Sequence, residues 1–488
     1  MNCRVGFFIF LLFISGCTRK DINADLSIFR YNESAGIATL DPAFAKDQST
    51  IWATNQLFNG LVQLDSQLNV QPSIAKYWNI SKDGLLYDFI LRDDVLFHDD
   101  DIFKNGKGRI VIAQDFEYSF YRLLDKSLAA PGAWVLSNVD SFHAKNDSVF
   151  SIVLKKPFPA FLSLLSMQYC SVVPREIVEA RDFNRMPIGT GPFKFQLWVD
   201  GVKLVFRKNP NYFEKQGGEQ LPFLDAIAIT FIKDKQSAFL NFIQGKLDFI
   251  SGIDASYKDE ILTKQGKLRE KYQDDVVLQS MPYLNTEYLG FLMDTSLNIG
   301  IRQAINYGFD RVKMLRYLRN NIGTPAINGF VPLGLPSFSE EVKGYYYDPE
   351  KARELVAAAN NKGEFDVTKE IVLSTTSSYI DLCEYIQNQL TDIGLNVRVE
   401  VNPASTHRQM VANSKLHFFR GSWIADYPDA ENYLSLFYSR NFCPEGPNYT
   451  HFSSEEFDNL YEISLSETDL DKRYVLYNKM DKILIDNA

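Results

Sequence analysis

The stretch that most limits what this chain can fold into is residues 370–401, which read as strand (370–374), helix (379–393) and strand (396–401), with Gly394 ending the helix. Parallel strands need a long crossover between them and a helix supplies it, so the segment is a βαβ unit and this half of the chain is α/β. Other signals there agree. Residues 299–318 carry Ile301, Ile305, Val312 and Leu315 on one stripe, as a single helix would. Asp348-Pro349 starts another helix with an N-cap and a proline in its first turn. A short helix is expected near residues 406–413. Ser453-Ser454-Glu455-Glu456 is a capping box ahead of the last two helices, which end near 465 and span 470–485.

In the first half, strands are expected at residues 26–31, 61–64, 85–91, 95–97, 150–154 and 203–206, and helices at 49–58 and 113–124. Pro187-Ile188-Gly189-Thr190-Gly191-Pro192-Phe193 reads as a glycine-proline turn or hinge. No internal repeat or low-complexity linker interrupts the chain, so its lobes should be joined by short crossings.

Arg420-Gly421-Ser422-Trp423-Ile424-Ala425-Asp426-Tyr427-Pro428-Asp429 gathers a cation, an indole and two carboxylates at one strand-to-loop junction. The strand begins near Lys415, and Pro428, which cannot donate to a ladder and restricts Tyr427, ends it near Ala425. Asp426 then sits just past a strand's carboxyl end, where open α/β sheets bind ligands. With Arg420 nearby, Asp426 and Asp429 are both expected to stay ionised. The competing assignment makes Asp426 a helix cap and Trp423 a core residue.

A length of 488 residues allows roughly three domain-sized units. A net charge of -10, with no local run of Lys or Arg, argues against nucleic acid or an anionic membrane surface as partner. The N-terminus points to export. Residues 1–16 contain Arg4 as their only basic residue and an apolar run at 5–14 too short to span a bilayer, so they read as a signal peptide. Ile14-Ser15-Gly16-Cys17 resembles a bacterial lipobox, which makes Cys17 the lipidated first residue of the mature chain and residues 18–23 a polar tether. Cys170, Cys383 and Cys443 remain, so at most one disulfide forms, and their spacing excludes a zinc knuckle or a C-x-x-C redox site. Cys383 falls on the apolar face of a helix and is expected in the core.

No pattern of residues supports catalysis. His98-Asp99-Asp100-Asp101 lacks the offsets of a calcium loop and reads as a solvated loop, and the five histidines are scattered. No G-x-S-x-G, H-E-x-x-H or phosphate-binding loop is present. The expectation is therefore no enzyme, no metal and no cofactor.

Ordered motifs along nearly the whole mature chain resemble a known family. They are Gln56-Leu57-Phe58-Asn59-Gly60-Leu61, Pro72-Ser73-Ile74-Ala75-Lys76-Tyr77-Trp78 followed by Ser81-Lys82-Asp83-Gly84, Leu91-Arg92-Asp93-Asp94-Val95-Leu96-Phe97-His98-Asp99 and Ala113-Gln114-Asp115-Phe116. Further on come residues 187–193, Asn209-Pro210-Asn211-Tyr212, Arg302-Gln303-Ala304-Ile305, Tyr347-Asp348-Pro349-Glu350-Lys351-Ala352 and residues 423–428. This pattern resembles the bacterial family 5 solute-binding lipoproteins of peptide ABC transporters, which include the oligopeptide- and dipeptide-binding proteins.

The resemblance implies an α/β, two-lobed periplasmic-binding-protein-like fold of type II. The first lobe would occupy residues 17–288, with an extra subdomain inserted at about 56–186, and the second lobe residues 289–488. It implies a monomer held to the cell envelope by lipid on Cys17, on its periplasmic or extracellular face, which delivers peptide to an ABC transporter permease. Asp426 would grip a peptide's α-ammonium, Arg420 would help bind its carboxylate end or backbone, and Gly421, Ser422, Trp423 and Ile424 would line and pair with the extended ligand. Lys46 to Gln48, and Trp134 as a cleft aromatic, would contribute from the other lobe. Strand addition suits a carrier of many peptides, because it reads termini and backbone and leaves side chains in hydrated pockets. Nickel complexes or oligosaccharides are the alternative ligands within the family, and an exported hydrolase is the alternative from another class. Two departures stand out. Residues 294–300 are brief, and relatives continue past the point matching Asn487-Ala488 to return to the first lobe, so either the sequence is a fragment or that lobe keeps an unpaired edge.

Overall fold

The computed structural model of the protein describes residues 26–254, 257–294 and 296–488, so the signal peptide, Cys17 and the tether lie outside the described residues. Three four-stranded sheets organise the chain. In the first, Ile28–Asn32 pairs in parallel with Ala226–Thr230, followed by Lys203–Lys208 and Phe193–Val199 in antiparallel order. The second is a wholly antiparallel sheet ordered Ala75–Ile80, Leu86–Leu91, Val149–Leu154, Val139–Asn146. One continuous apolar core runs through both, from Tyr31 to Ile229, and the helix Ala113–Leu124 buries Phe116, Phe120 and Leu123 in it.

The third sheet belongs to the other lobe. Its order is Asn285–Phe291, Phe418–Ile424, Ile371–Thr375, Val397–Val401, with the first pair antiparallel and the others parallel. The βαβ unit is present as expected: Ile380–Asp392 crosses between the parallel strands and buries Cys383, Ile386 and Leu390, and Gly394 ends the crossover with φ +94. A second cluster built on Tyr433, Phe457, Tyr461, Tyr477 and Met480 includes Trp423 at its margin. The Asp348 cap is made, accepting from Lys351 N ahead of Pro349–Asn361, whereas the capping box expected over 453–456 is corrected to a simple cap: Ser454 accepts from Phe457 N ahead of Glu455–Ser464. Cys170, Cys383 and Cys443 are buried free thiols.

Three further local expectations are corrected. Residues 299–318 are two helices, Ile299–Gly308 and Arg311–Leu318, because Asp310 caps the second through Lys313 N. The new axis leaves Val312 exposed rather than on the buried stripe. Residues 95–97 make only the isolated bridge Leu96 to Ile110. His98 is buried, not solvated: it bonds the carbonyl of Gly191 through Nε2 at 3.0 Å and accepts from Gly189 N through Nδ1 at 3.3 Å. Burial pushes its imidazole down to about 4, so it is a neutral staple. The turn it staples needs its glycines, because a Cβ on Gly189 would lie 2.0 Å from the carbonyl oxygen of Leu57.

Candidate functional site

The strand Phe418–Ile424 pairs along its full length with Asn285–Phe291, but meets Ile371–Thr375 at one register position, Ser374 with Phe419. From Arg420 onward it overshoots that neighbour. Arg420 turns its carbonyl to the vacated side, where His407 Nε2 donates to it at 2.9 Å, and Ala425 N points the other way, to Leu284 O. By strand alternation the backbone groups of Ser422 and Ile424 face the vacated side as well, where no strand of the described residues covers them. Their side chains are exposed, Ile424 at 51%. Gly421 is required for packing, since a Cβ there would sit 2.5 Å from Cζ of Tyr288.

Just past this free edge lies Asp426. Its backbone N–H donates to Asn432 Oδ1 at 3.1 Å, and Asn432 Nδ2 donates to its Oδ2 at 3.4 Å. The same Oδ1 accepts the indole N–H of Trp423 at 2.9 Å. Two obligate donors therefore fix which way the Asn432 amide points, and its NH2 is left to the carboxylate. Asp426 is exposed as a residue, yet the surrounding protein partly desolvates the carboxyl and pushes its pKa up, with Asn432 pulling the other way. It forms no ion pair among the described residues.

This corrects the role expected of Arg420, which pairs with neither Asp426 nor Asp429. Arg420 is ion-paired with Glu287 and lies over Tyr379, its guanidinium carbon 3.2 Å from the ring centroid. Asp429 is buried and served by Arg473 at 3.0 Å and by the Tyr477 hydroxyl at 2.7 Å, and its Oδ1 accepts from Glu431 N at 2.9 Å to start the turn Glu431–Leu434. The carboxylate that holds this turn's backbone, through Glu431 N, is thus Asp429 and not Asp426, and the N-cap position itself is Ala430.

The other lobe meets the site here. Tyr427 is buried in the first lobe's core and sets its ring edge-on to Phe158, with centroids 6.4 Å apart. Tyr169 stands between the lobes: burial, then the carboxylates of Asp426 and Asp47, push its hydroxyl pKa up. Asp47 caps Gln48–Leu57, leaving Gln48 exposed at the helix start. Trp134, 42% exposed, belongs to Pro131–Leu136, where Gly132 lets the Tyr169 ring approach. The structure so brings together Arg420 and residues 421–424 on one strand and Asp426 in the loop just past its end, with Gln48 and Trp134 on the elements of the first lobe flanking Tyr169. Tyr169, Glu287, Tyr379 and Asn432 were missed by sequence reading, and no local motif marks them.

A profile of the family described as bacterial extracellular solute-binding proteins, family 5 Middle, matches residues 69–442. The chain belongs to this family. Among family relatives, heme-binding protein A of Haemophilus influenzae is 26% identical, over 89% of this chain and 81% of its own. The dipeptide-binding protein of Escherichia coli is 23% identical, over 88% and 82%. The fold is that of the periplasmic binding protein DppA of Helicobacter pylori solved with the peptide STSA, at TM-score 0.71 and 24% identity, covering 94% of this chain and 91% of that one. In this family fold the two lobes described above are those of a solute-binding protein, and no helix among the described residues is long and apolar enough to cross a membrane.

Proposed function

We propose that the protein is the peptide-capturing component of an ABC importer, lipid-anchored through Cys17, and that its ligand lies as an added strand along residues 421–424 with its α-ammonium on Asp426. The observation that carries the reading is Asp426 itself, a carboxylate oriented by Asn432, raised in pKa by its surroundings and without a cation among the described residues. An ammonium supplies what it lacks. The free backbone groups of Ser422 and Ile424 supply the ladder. Relatives named for a dipeptide and solved with STSA support peptides as the class. Gln48, Trp134 and Tyr169 would close over the ligand from the first lobe, with the chain crossing ahead of the strand Asn285–Phe291 as hinge.

The test is a cycle in which wild type and Asp426→Asn are each titrated with a free peptide and its N-acetylated form. Truncating one member of a desolvated charge pair costs about 2–5 kcal/mol, and the exposure of Asp426 places the expected loss at the lower end. Acetylation should weaken wild type by that amount and matter little to the variant, so the losses do not add. Additive losses, or normal binding by Asp426→Asn, would retire the assignment.

A further inference from the structure

We propose that Glu287 is a specificity-determining residue: it occupies Arg420 as a built-in counter-ion, so the cleft reads a ligand's ammonium end and does not read its carboxylate. The proposal rests on the peptide reading of the site above, and it departs from the expectation that Arg420 binds the carboxylate end.

Glu287 stands opposite Ser422 in the ladder, which puts it one diagonal step from Arg420 on the same face of the sheet. Its Oε2 pairs with the guanidinium and its Oε1 accepts from Asn285 Nδ2 at 2.8 Å, so both carboxylate oxygens are engaged. The Arg420 side chain is only 14% exposed, Tyr379 covers one guanidinium face, and His407 holds the backbone of the same residue. The arginine is held this way although its buried Nε has no partner among the described residues. A guanidinium fixed by strand, ring and carboxylate together is a poor receiver for an incoming anion, which would have to displace a counter-ion already in place. Asp426, six residues on, shows the opposite arrangement, with an oriented carboxylate and no cation among the described residues. Counting Glu287, Arg420 and Asp426, the floor of the second lobe carries two carboxylates to one cation. The ligand class that fits is a peptide whose amino end is free and whose carboxyl end is unread, whether free, amidated or part of a longer chain.

The experiment titrates alanine peptides of two to six residues, each as free acid and as C-terminal amide, against the full-length protein, Glu287→Gln and the double variant Glu287→Gln/Arg420→Gln. In parallel, the rate of phenylglyoxal modification at Arg420 is followed by peptide mass mapping without ligand. Wild type should show no preference for the acid. Glu287→Gln should prefer it by about tenfold, the scale of one newly available partly buried charge pair, and the double variant should lose that preference. Arg420 should react faster in Glu287→Gln than in wild type. The proposal is overturned if wild type already prefers the acid by a similar factor, or if Glu287→Gln binds acid and amide alike. If no alanine peptide binds in either form, the peptide reading fails, and the modification rates decide the counter-ion on their own: equal rates in wild type and Glu287→Gln overturn it, and a faster variant upholds it.

Discussion

Asn432→Leu isolates the amide that organises the candidate site. Leucine nearly matches asparagine in shape, so the change removes hydrogen bonds with little change in volume. Asn432 is buried, and its Oδ1 accepts from Trp423 Nε1 at 2.9 Å and from Asp426 N at 3.1 Å. Leucine strands both donors. An unsatisfied buried donor costs about 1–3 kcal/mol, and partial water access to Trp423 and Asp426 lowers each toward about 1, for a total near 2 kcal/mol. Urea unfolding followed by circular dichroism should show the midpoint falling with the slope unchanged. The second effect is functional: without Nδ2 at 3.4 Å the Asp426 carboxylate is no longer held toward the free strand edge, so the preference for a free over an acetylated amino terminus should shrink. A variant that unfolds earlier but keeps the full preference would show that Asn432 supports only the loop. One that matches wild type in both would refute the reasoning.

Asp481 offers a pH-dependent prediction. It accepts from Phe330 N at 2.6 Å and Val331 N at 3.3 Å, and burial pushes its carboxyl from 3.8 to about 6, so the folded state holds the proton more tightly than the unfolded one. Stability from this group is therefore present at low pH and lost as pH rises between those values, by about 3 kcal/mol in all. Asp481→Asn should gain on wild type by up to that amount between pH 4 and 7, and parallel stability curves would contradict it. Cys17→Ser should move the protein from the membrane fraction to the soluble extracytoplasmic one, and retention in the membrane would rule out lipid on that residue.

The features legible in the sequence are those written locally. The crossover at residues 370–401 is set by apolar periodicity and Gly394, and the caps at Asp348 and Ser454 by neighbours three residues away. The strand carrying Arg420 and its end before Pro428 were readable for the same reason. What escaped depends on partners distant in sequence. Glu287 and Arg420 are 133 residues apart, and the burial of His98 depends on Gly189 and Gly191 more than 90 residues away. The break after Gly308 was local yet hidden, because an apolar stripe continues in register across Asp310 while the cap changes the axis.

The charge arrangement around the junction argues for a site more strongly than any motif in it. Asp429 has Arg473 and Tyr477. Buried Glu431 takes hydroxyls from Tyr427 and Tyr461, and burial holds its carboxyl above the usual range. Arg420 has Glu287, and Asp481 has two backbone amides. Each is a charge or proton-carrying group that folding alone obliges the protein to satisfy, because a buried group without a partner costs more than the pair returns. Asp426 breaks the series. It is oriented by Asn432, partly desolvated, and lacks a cation among the described residues, although an arginine lies six residues before it and is committed elsewhere. Stability alone gives no reason to orient a carboxylate and then leave it uncompensated, whereas a cleft that must receive an ammonium and later release it requires that state when empty.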